Sequence, residues 1–141
     1  MSIIQEIKLA ISSSFAIKDL GPLQFCLGLQ ITRDRQQRLL TMHQSHYITS
    51  ILEQSNMSSC AIAATPQHSS VTLVASDLPA SKTTPYRAIF GSLLYLACCT
   101  RPDVSTAVGE ICRFSGNPGV QHWNAVKQVL RYLQGTRSTG N

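Results

Sequence analysis

Near residue 22 the hydrophobic pattern of this chain switches period. Before it, Ile3, Ile7, Ile11 and Phe15 recur every four residues, with Ile4 beside them. That spacing lays one apolar face along a helix, expected over residues 3–13. Ser12-Ser13-Ser14 weakens its end, and the turn Lys18-Asp19-Leu20-Gly21-Pro22 stops it. After it, Leu23, Phe25, Leu27, Leu29 and Ile31 alternate with Gln24, Cys26, Gly28, Gln30 and Thr32. Strict alternation of this length predicts one half-buried strand. Gly28 on its non-aliphatic side marks a bulge or a close approach by another backbone.

A polar connection over 33–37 leads into a return strand expected at Arg38–Met42, which makes a hairpin. Tyr47, Ile48, Ile51 and Leu52 then predict a short amphipathic helix after Gln44, ending near Asn56. Residues 57–83 are rich in Ser, Thr, Ala and Pro and read as a flexible connector between two parts. Thr84 and Pro85 suit a helix cap and first helical position. Ile89, Phe90, Leu93, Leu94 and Ala97 form the stripe of that helix. Pro102 opens another, with Val104, Ala107, Val108, Ile111 and Cys112 facing inward, and Gly116-Asn117-Pro118-Gly119 breaks it. A third carries Trp123, Val126, Val129, Leu130 and Leu133, with Gly135 placed as its C-cap. The expected architecture is α+β: a short antiparallel hairpin with flanking helices over 1–56, the connector over 57–83, and a small helical bundle over 84–141.

With 141 residues the chain has one domain's worth of sequence. Only 13% of residues are charged, which argues against a solvated, disordered chain. No apolar run approaches the length of a membrane span, and no membrane partner is expected. The net charge is +5. It concentrates in residues 82–141, where seven Lys/Arg face two Asp/Glu. That surplus is either a solvated helix surface or a face for a polyanion. The five cysteines are odd in number and show no CxxC spacing, so they read as small packing residues of a reducing, intracellular compartment. Cys98-Cys99 likewise reads as core packing.

The seven carboxylates are Glu6, Asp19, Asp34, Glu53, Asp77, Asp103 and Glu110, scattered without a cluster. Two-metal phosphoryl chemistry needs converging carboxylates, and this spacing offers none. Neither Gly-x-Ser-x-Gly nor a phosphate loop is present. His43 and His46 could share a metal but have no third ligand nearby; polar residues at a helix start are the plainer reading. No catalytic residue, metal site or cofactor is assigned to this chain.

Four strings resemble one family. They are Phe15-Ala-Ile-Lys-Asp-Leu-Gly-Pro-Leu-Gln-Phe-Cys-Leu-Gly-Leu-Gln-Ile31, then Tyr86-Arg87 with Gly91-Ser-Leu-Leu-Tyr-Leu96, then Thr100-Arg-Pro-Asp-Val104, then His122-Trp-Asn-Ala-Val-Lys-Gln-Val-Leu-Arg-Tyr-Leu-Gln-Gly-Thr136. In order and spacing they are similar to Ty1/copia-type retrotransposon reverse transcriptases, over nearly the whole chain. The resemblance implies a C-terminal piece of that polymerase: end of palm, primer-grip hairpin, and thumb and connection helices. It places the family's Tyr-x-Asp-Asp before Met1 and its ribonuclease H acids after Asn141. Magnesium would then belong to the intact parent enzyme. Phe25, Leu27, Gly28 and Leu29 fall in the primer-grip motif. Cys26, Cys98-Cys99 and Ser115-Gly116 depart from the family pattern.

A primer grip presents backbone and small side chains to a phosphate backbone, and a thumb clamps a duplex by shape and charge. Lys127 and Arg131, four apart on one face, are the first candidates for phosphate contact together with Arg137. Arg87 and Arg101 follow, with helix bracing as the other reading of both. The expected function is non-catalytic: a grip on RNA–DNA or DNA duplex, weak, within a parent that performs RNA-directed DNA synthesis. Further partners would be the palm, fingers and ribonuclease H regions of the same polyprotein. The other reading is a structural or protein-interaction remnant. The genome of origin, nuclear or plant mitochondrial, stays open.

Overall fold

The computed structural model describes residues 2–68, 70–75 and 85–138. Its elements run α1 Ile3–Ser14, β1 Phe25–Cys26, β2 Leu29–Asp34, β3 Leu39–His43, α2 Ser45–Gln54, α3 Tyr86–Cys99, a 3-10 turn at Pro102–Val104, α4 Ser105–Cys112 and α5 Val120–Gly135. Helices and a three-stranded antiparallel sheet make the fold α+β.

The four-residue repeat at the N-terminus does form a helix. The Ser2 carbonyl accepts from the Gln5 and Glu6 amides to start it. Ser12 and Ser13 turn their hydroxyls back onto the Leu9 and Ala10 carbonyls near its end, and Phe15 is already extended. No residue of α1 is buried, and Ile3 is 75% exposed. Lys8 holds Asp19 at 2.7 Å, folding the 15–22 linker back along the helix. That ammonium keeps the Asp19 carboxyl below its ordinary range, and the Gly21 amide adds to the effect.

The ten-residue strand is not one strand. Leu27 and Gly28 both adopt positive φ, 50° and 77°, and close a two-residue turn between β1 and β2. Two consecutive left-handed residues are the signature of the mirror-image turn that suits strand twist. Register then divides the aliphatic row between the two faces of the sheet. Phe25 pairs with Gln30, whereas Cys26 pairs with Leu29. Paired residues share a face, so Phe25 lies opposite Leu29 and Ile31. The second hairpin forms as expected, with Gln30 opposite His43 and Asp34 opposite Leu39. Its ladder begins one residue later than Arg38, which itself turns at φ 53°. Asp34 Oδ1 accepts from the Gln36 and Gln37 amides and fixes that turn.

Everything fully buried comes after the sheet. Ile48, Ile51 and Leu52 of α2 meet Ile89, Leu93 and Leu96 of α3, Val108 and Ile111 of α4, and Val126, Leu130 and Leu133 of α5. Each of these eleven is at most 1% exposed. Tyr86 donates from the core to the Ile111 carbonyl at 2.9 Å, and burial pushes its hydroxyl up to about 12. Buried Gln44 accepts from Thr100 at 2.8 Å, pinning the start of α2 to the end of α3. Thus α2 shares one core with the C-terminal helices.

The described part of the 57–83 segment has no helix or strand, yet it runs along α5. The Ala63 amide donates to the Arg131 carbonyl. Gln134, Gln128 and Gln121 donate to the Ser58, Thr65 and Val74 carbonyls. His122, fully buried at the start of α5, accepts from the Gly119 amide through Nδ1 at 2.7 Å and donates from Nε2 to the Val74 carbonyl at 2.9 Å. Phe114 stacks on its ring, with centroids 4.2 Å apart. Gly135 is the last helical residue of α5, not a left-handed cap; a side chain there would collide with Ile62. Thr136 caps instead.

Two further expectations change. Pro85 is the residue before α3, not its first helical one, while Thr84 and residues 76–83 lie outside the described residues. Cys26, Cys98, Cys99 and Cys112 are exposed and do not serve as core packing, whereas half-buried Cys60 packs against the core. Cys98 and Cys99 occupy the last turn of α3, on the side away from Leu93 and Leu96.

Candidate nucleic-acid interface

The β1–β2 turn projects from the sheet and is met by one side chain of the helical core. Tyr95, on the solvent edge of α3, donates its hydroxyl to the Leu27 carbonyl. Its ring passes beside Gly28, where the positive φ of 77° rather than lack of space calls for glycine. Tyr47 of α2 meets Tyr95 edge-on, with ring centroids 5.5 Å apart. Leu27 is left 80% exposed and Phe25 62% exposed, while Gly28 and Leu29 are half-buried. The tip is therefore held from one side and open on the other. Tyr95 was present in the sequence only as one letter of a family string, and Tyr47 only as part of a helix stripe. Neither carries a local signal for a contact across 68 residues of chain.

The cations divide into three groups. Lys127 and Arg131 share a face of α5 and line one cavity, of about 310 Å³, between α5, α4 and the 66–73 segment. Arg137 is exposed just beyond the end of α5. Arg87 is exposed at the start of α3 and donates to the Ser115 carbonyl at 3.3 Å, a bracing contact with the α4–α5 loop.

Arg101 differs from all of them. It is 2% exposed. Its guanidinium grips Asp103 through two bonds, 2.9 and 2.7 Å, and donates to the carbonyl and hydroxyl of Thr136 at 2.9 and 2.7 Å. Tyr132 completes the group by donating to Asp103 at 2.8 Å. Hydrogen bonding by Arg101, reinforced by Tyr132, holds the Asp103 carboxyl below its ordinary value against the effect of partial burial. Four of the five N–H donors of Arg101 are thus spent in tying the α3–α4 turn to the end of α5. This is the bracing role, and burial keeps the side chain from a phosphate.

His43 and His46 flank Gln30 rather than each other's ring nitrogens. His43 Nδ1 is 2.9 Å from Ser45 Oγ, and Gln30 Oε1 accepts from Ser45 and from the His46 amide. Among the described residues no group of three or more His, Cys, Asp or Glu is gathered closely enough to hold a metal ion.

The arrangement offers an exposed, braced backbone turn and a cationic helix, the elements of shape-and-charge recognition. Residues 1–69 match the family described as reverse transcriptase (RNA-dependent DNA polymerase). The chain is 42% identical over 141 residues to the retrovirus-related Pol polyprotein from transposon TNT 1-94 of Nicotiana tabacum, covering 95% of this chain and 11% of that one. It is 39% identical over 132 residues to the Pol polyprotein from transposon RE2 of Arabidopsis thaliana, covering 93% and 9%. An uncharacterised mitochondrial protein of Arabidopsis thaliana is 35% identical over 126 residues, covering 89% of this chain and 51% of that one. The chain therefore spans about a tenth of the two polyproteins and about half of the mitochondrial protein. No solved structure matches.

Proposed function

Because this chain belongs to the reverse transcriptase family of retrotransposon Pol polyproteins, we propose that it supplies grip on a template–primer duplex and no chemistry of its own. The observation that carries this reading is the β1–β2 turn, clamped through Leu27 by Tyr95 yet open to solvent. A nucleic-acid backbone is recognised by fixed main-chain groups and cations at the right height, and a braced turn meets that need at little entropic cost. Leu27 and Gly28 set the turn's shape, Phe25 and Leu27 give it an apolar surface, and Leu29 follows as the first residue of β2. Lys127, Arg131 and Arg137 supply the positive field, with Arg87 at the far end of α3. Arg101 is left out, since it is buried and four of its five N–H donors are used internally.

The test is fluorescence anisotropy of the purified chain with a labelled RNA–DNA hybrid across a salt series. Weak binding should weaken steeply with salt, and Lys127→Ala with Arg131→Ala should lower the slope of log K against log salt by about 2. A primer-extension assay should give no nucleotide incorporation; extension by the purified chain refutes the non-catalytic part. Hybrid binding indifferent to both salt and these substitutions refutes the grip.

A second reading has its own observation. Ile3, Ile4 and Ile7 of α1, and Phe15 just after it, are each more than half exposed. Monomeric proteins seldom leave a large contiguous apolar patch open. Under this reading the chain is an interaction module whose α1 is covered by protein. Size-exclusion with light scattering separates the two: a monomer that binds hybrid fits the grip, and an oligomer indifferent to polyanions fits the module.

A further inference from the structure

The contact that holds the hairpin tip has an exposed cysteine on each of its two elements. Tyr95 donates its hydroxyl to the Leu27 carbonyl. Cys26 is the residue before Leu27 and the last of β1, paired with Leu29 across the turn. Cys99 follows Tyr95 by one helical turn and shares its face of α3. Both thiols are free and exposed. They therefore border one hydroxyl, Cys26 from the sheet and Cys99 from the helix. The behaviour of that hydroxyl agrees. Burial raises it above its ordinary value, hydrogen bonding by Cys99 adds to the rise, and Tyr47 and Cys26 reinforce it. Cys98 is exposed as well but stands further round the helix from Tyr95.

The tip is lightly held. No described residue up to His43 is buried, so moving the β1–β2 turn uncovers little apolar surface. A disulfide asks for two Cα atoms within about 7 Å of each other. A turn tied to α3 by a side-chain hydrogen bond can make that approach without disturbing the core.

We propose that Cys26 and Cys99 form a reversible disulfide that replaces the Tyr95–Leu27 hydrogen bond as the tie between the β1–β2 turn and α3. The oxidant is a low-molecular-weight disulfide, glutathione disulfide in the test below. One thiolate attacks a sulfur of the oxidant and releases the first glutathione; the other attacks the resulting mixed disulfide and releases the second. The two cysteine thiols become one disulfide, and their two protons and two electrons leave on two glutathione thiols. The switch sets how firmly the tip is held, and it stands whether or not the turn meets a duplex.

The whole chain is equilibrated with excess glutathione disulfide, its remaining thiols are alkylated, and the cross-links are mapped by mass spectrometry. A Cys26–Cys99 link within one chain is the expected principal product. Cys26→Ser and Cys99→Ser should each abolish it, and Cys98→Ser should retain it. Hydrogen exchange at the Ile31 amide, which donates to the Gln24 carbonyl beside the turn, gives a second reading. Oxidation should slow it by at least about tenfold, because opening the turn then works against a covalent link, and dithiothreitol should restore it. Tyr95→Phe should speed this exchange in the reduced chain and leave it unchanged in the oxidised one. Glutathione adducts with no internal link overturn the proposal. A principal link from Cys26 to Cys98 or to a second copy does so too, as does equal Ile31 exchange in the oxidised and reduced chains.

Discussion

Two regions of this molecule use apolar residues in opposite ways. From Gln44 onward they are folded inward, and α2 to α5 close around Leu93, Leu96, Val126 and Leu130, all fully buried. Up to His43 no described residue is buried, although α1 and the sheet are at least as aliphatic. Periodicity alone did not decide this. Both regions have it, but only the helical one has four stripes that face one another. An amphipathic element gains stability only when another element covers it, so the same pattern yields a core in one place and an open face in the other.

Truncation should break this comparison most visibly. Leu93→Ala or Leu130→Ala should cost about 2–5 kcal/mol in urea unfolding, because a fully buried side chain leaves a cavity. Ile7→Ala, at a 53% exposed position, should cost well under about 1 kcal/mol. Comparable losses at both sites mean that α1 is covered in solution.

Next in size is the Arg101 brace. Arg101→Met keeps some packing but removes four hydrogen bonds, and should cost about 2–3 kcal/mol. Its acid response has a defined sign. The folded state depresses the Asp103 carboxyl below the ordinary 3.8, so the stabilisation is complete above that value. It fades as pH falls through the lower folded value. Thermal unfolding followed from about pH 5 to pH 2 should show this loss in the native chain and a flatter profile in Asp103→Asn. Asp19, exposed beside its half-buried Lys8 partner, should contribute a weaker response that salt removes. An acid limb unchanged in Asp103→Asn contradicts the assignment.

The hairpin tip provides the finest comparison. Leu27 bears a positive φ that costs a branched-chain residue about 1 kcal/mol. Leu27→Asn should therefore stabilise the β1–β2 turn by about 0.5–1 kcal/mol, whereas Tyr95→Phe should loosen it by a similar amount. Hydrogen exchange at the Ile31 amide, which donates to the Gln24 carbonyl, reads both changes. Slower exchange in the first variant and faster exchange in the second is the expected pair; no change in either detaches Tyr95 from the turn.

Where the elements lie was largely legible. Helices α1, α2, α3 and α5 fall within a few residues of their apolar stripes, and the turn at 34–38 was marked by its polar run. The β1–β2 turn was not. A two-residue turn leaves aliphatic letters at every second position, and Leu27 carries none of the usual turn chemistry, so the run reads as one strand. Of the candidate site, the exposed cations on α5 were legible from spacing. The burial of Arg101 was not, because its partners Asp103 and Thr136 meet only when the ends of two helices come together. The cavity was equally hidden, since its far wall is the Ser/Thr/Pro-rich segment, whose hydrogen bonds are to helix side chains with no pattern of their own.

Helix α5 follows the other described elements in the chain and is the one on which most of the rest leans. It covers the core, receives the 58–74 segment through Gln121, Gln128 and Gln134, and anchors Arg101 at Thr136. A nascent chain emerging from the ribosome cannot close its interior until that helix is free of the exit tunnel. Up to then α2, α3 and α4 have their oily sides uncovered, beside an α1 that never covers its own. A ribosome stalled within residues 120–136 should therefore carry the form most in need of a chaperone.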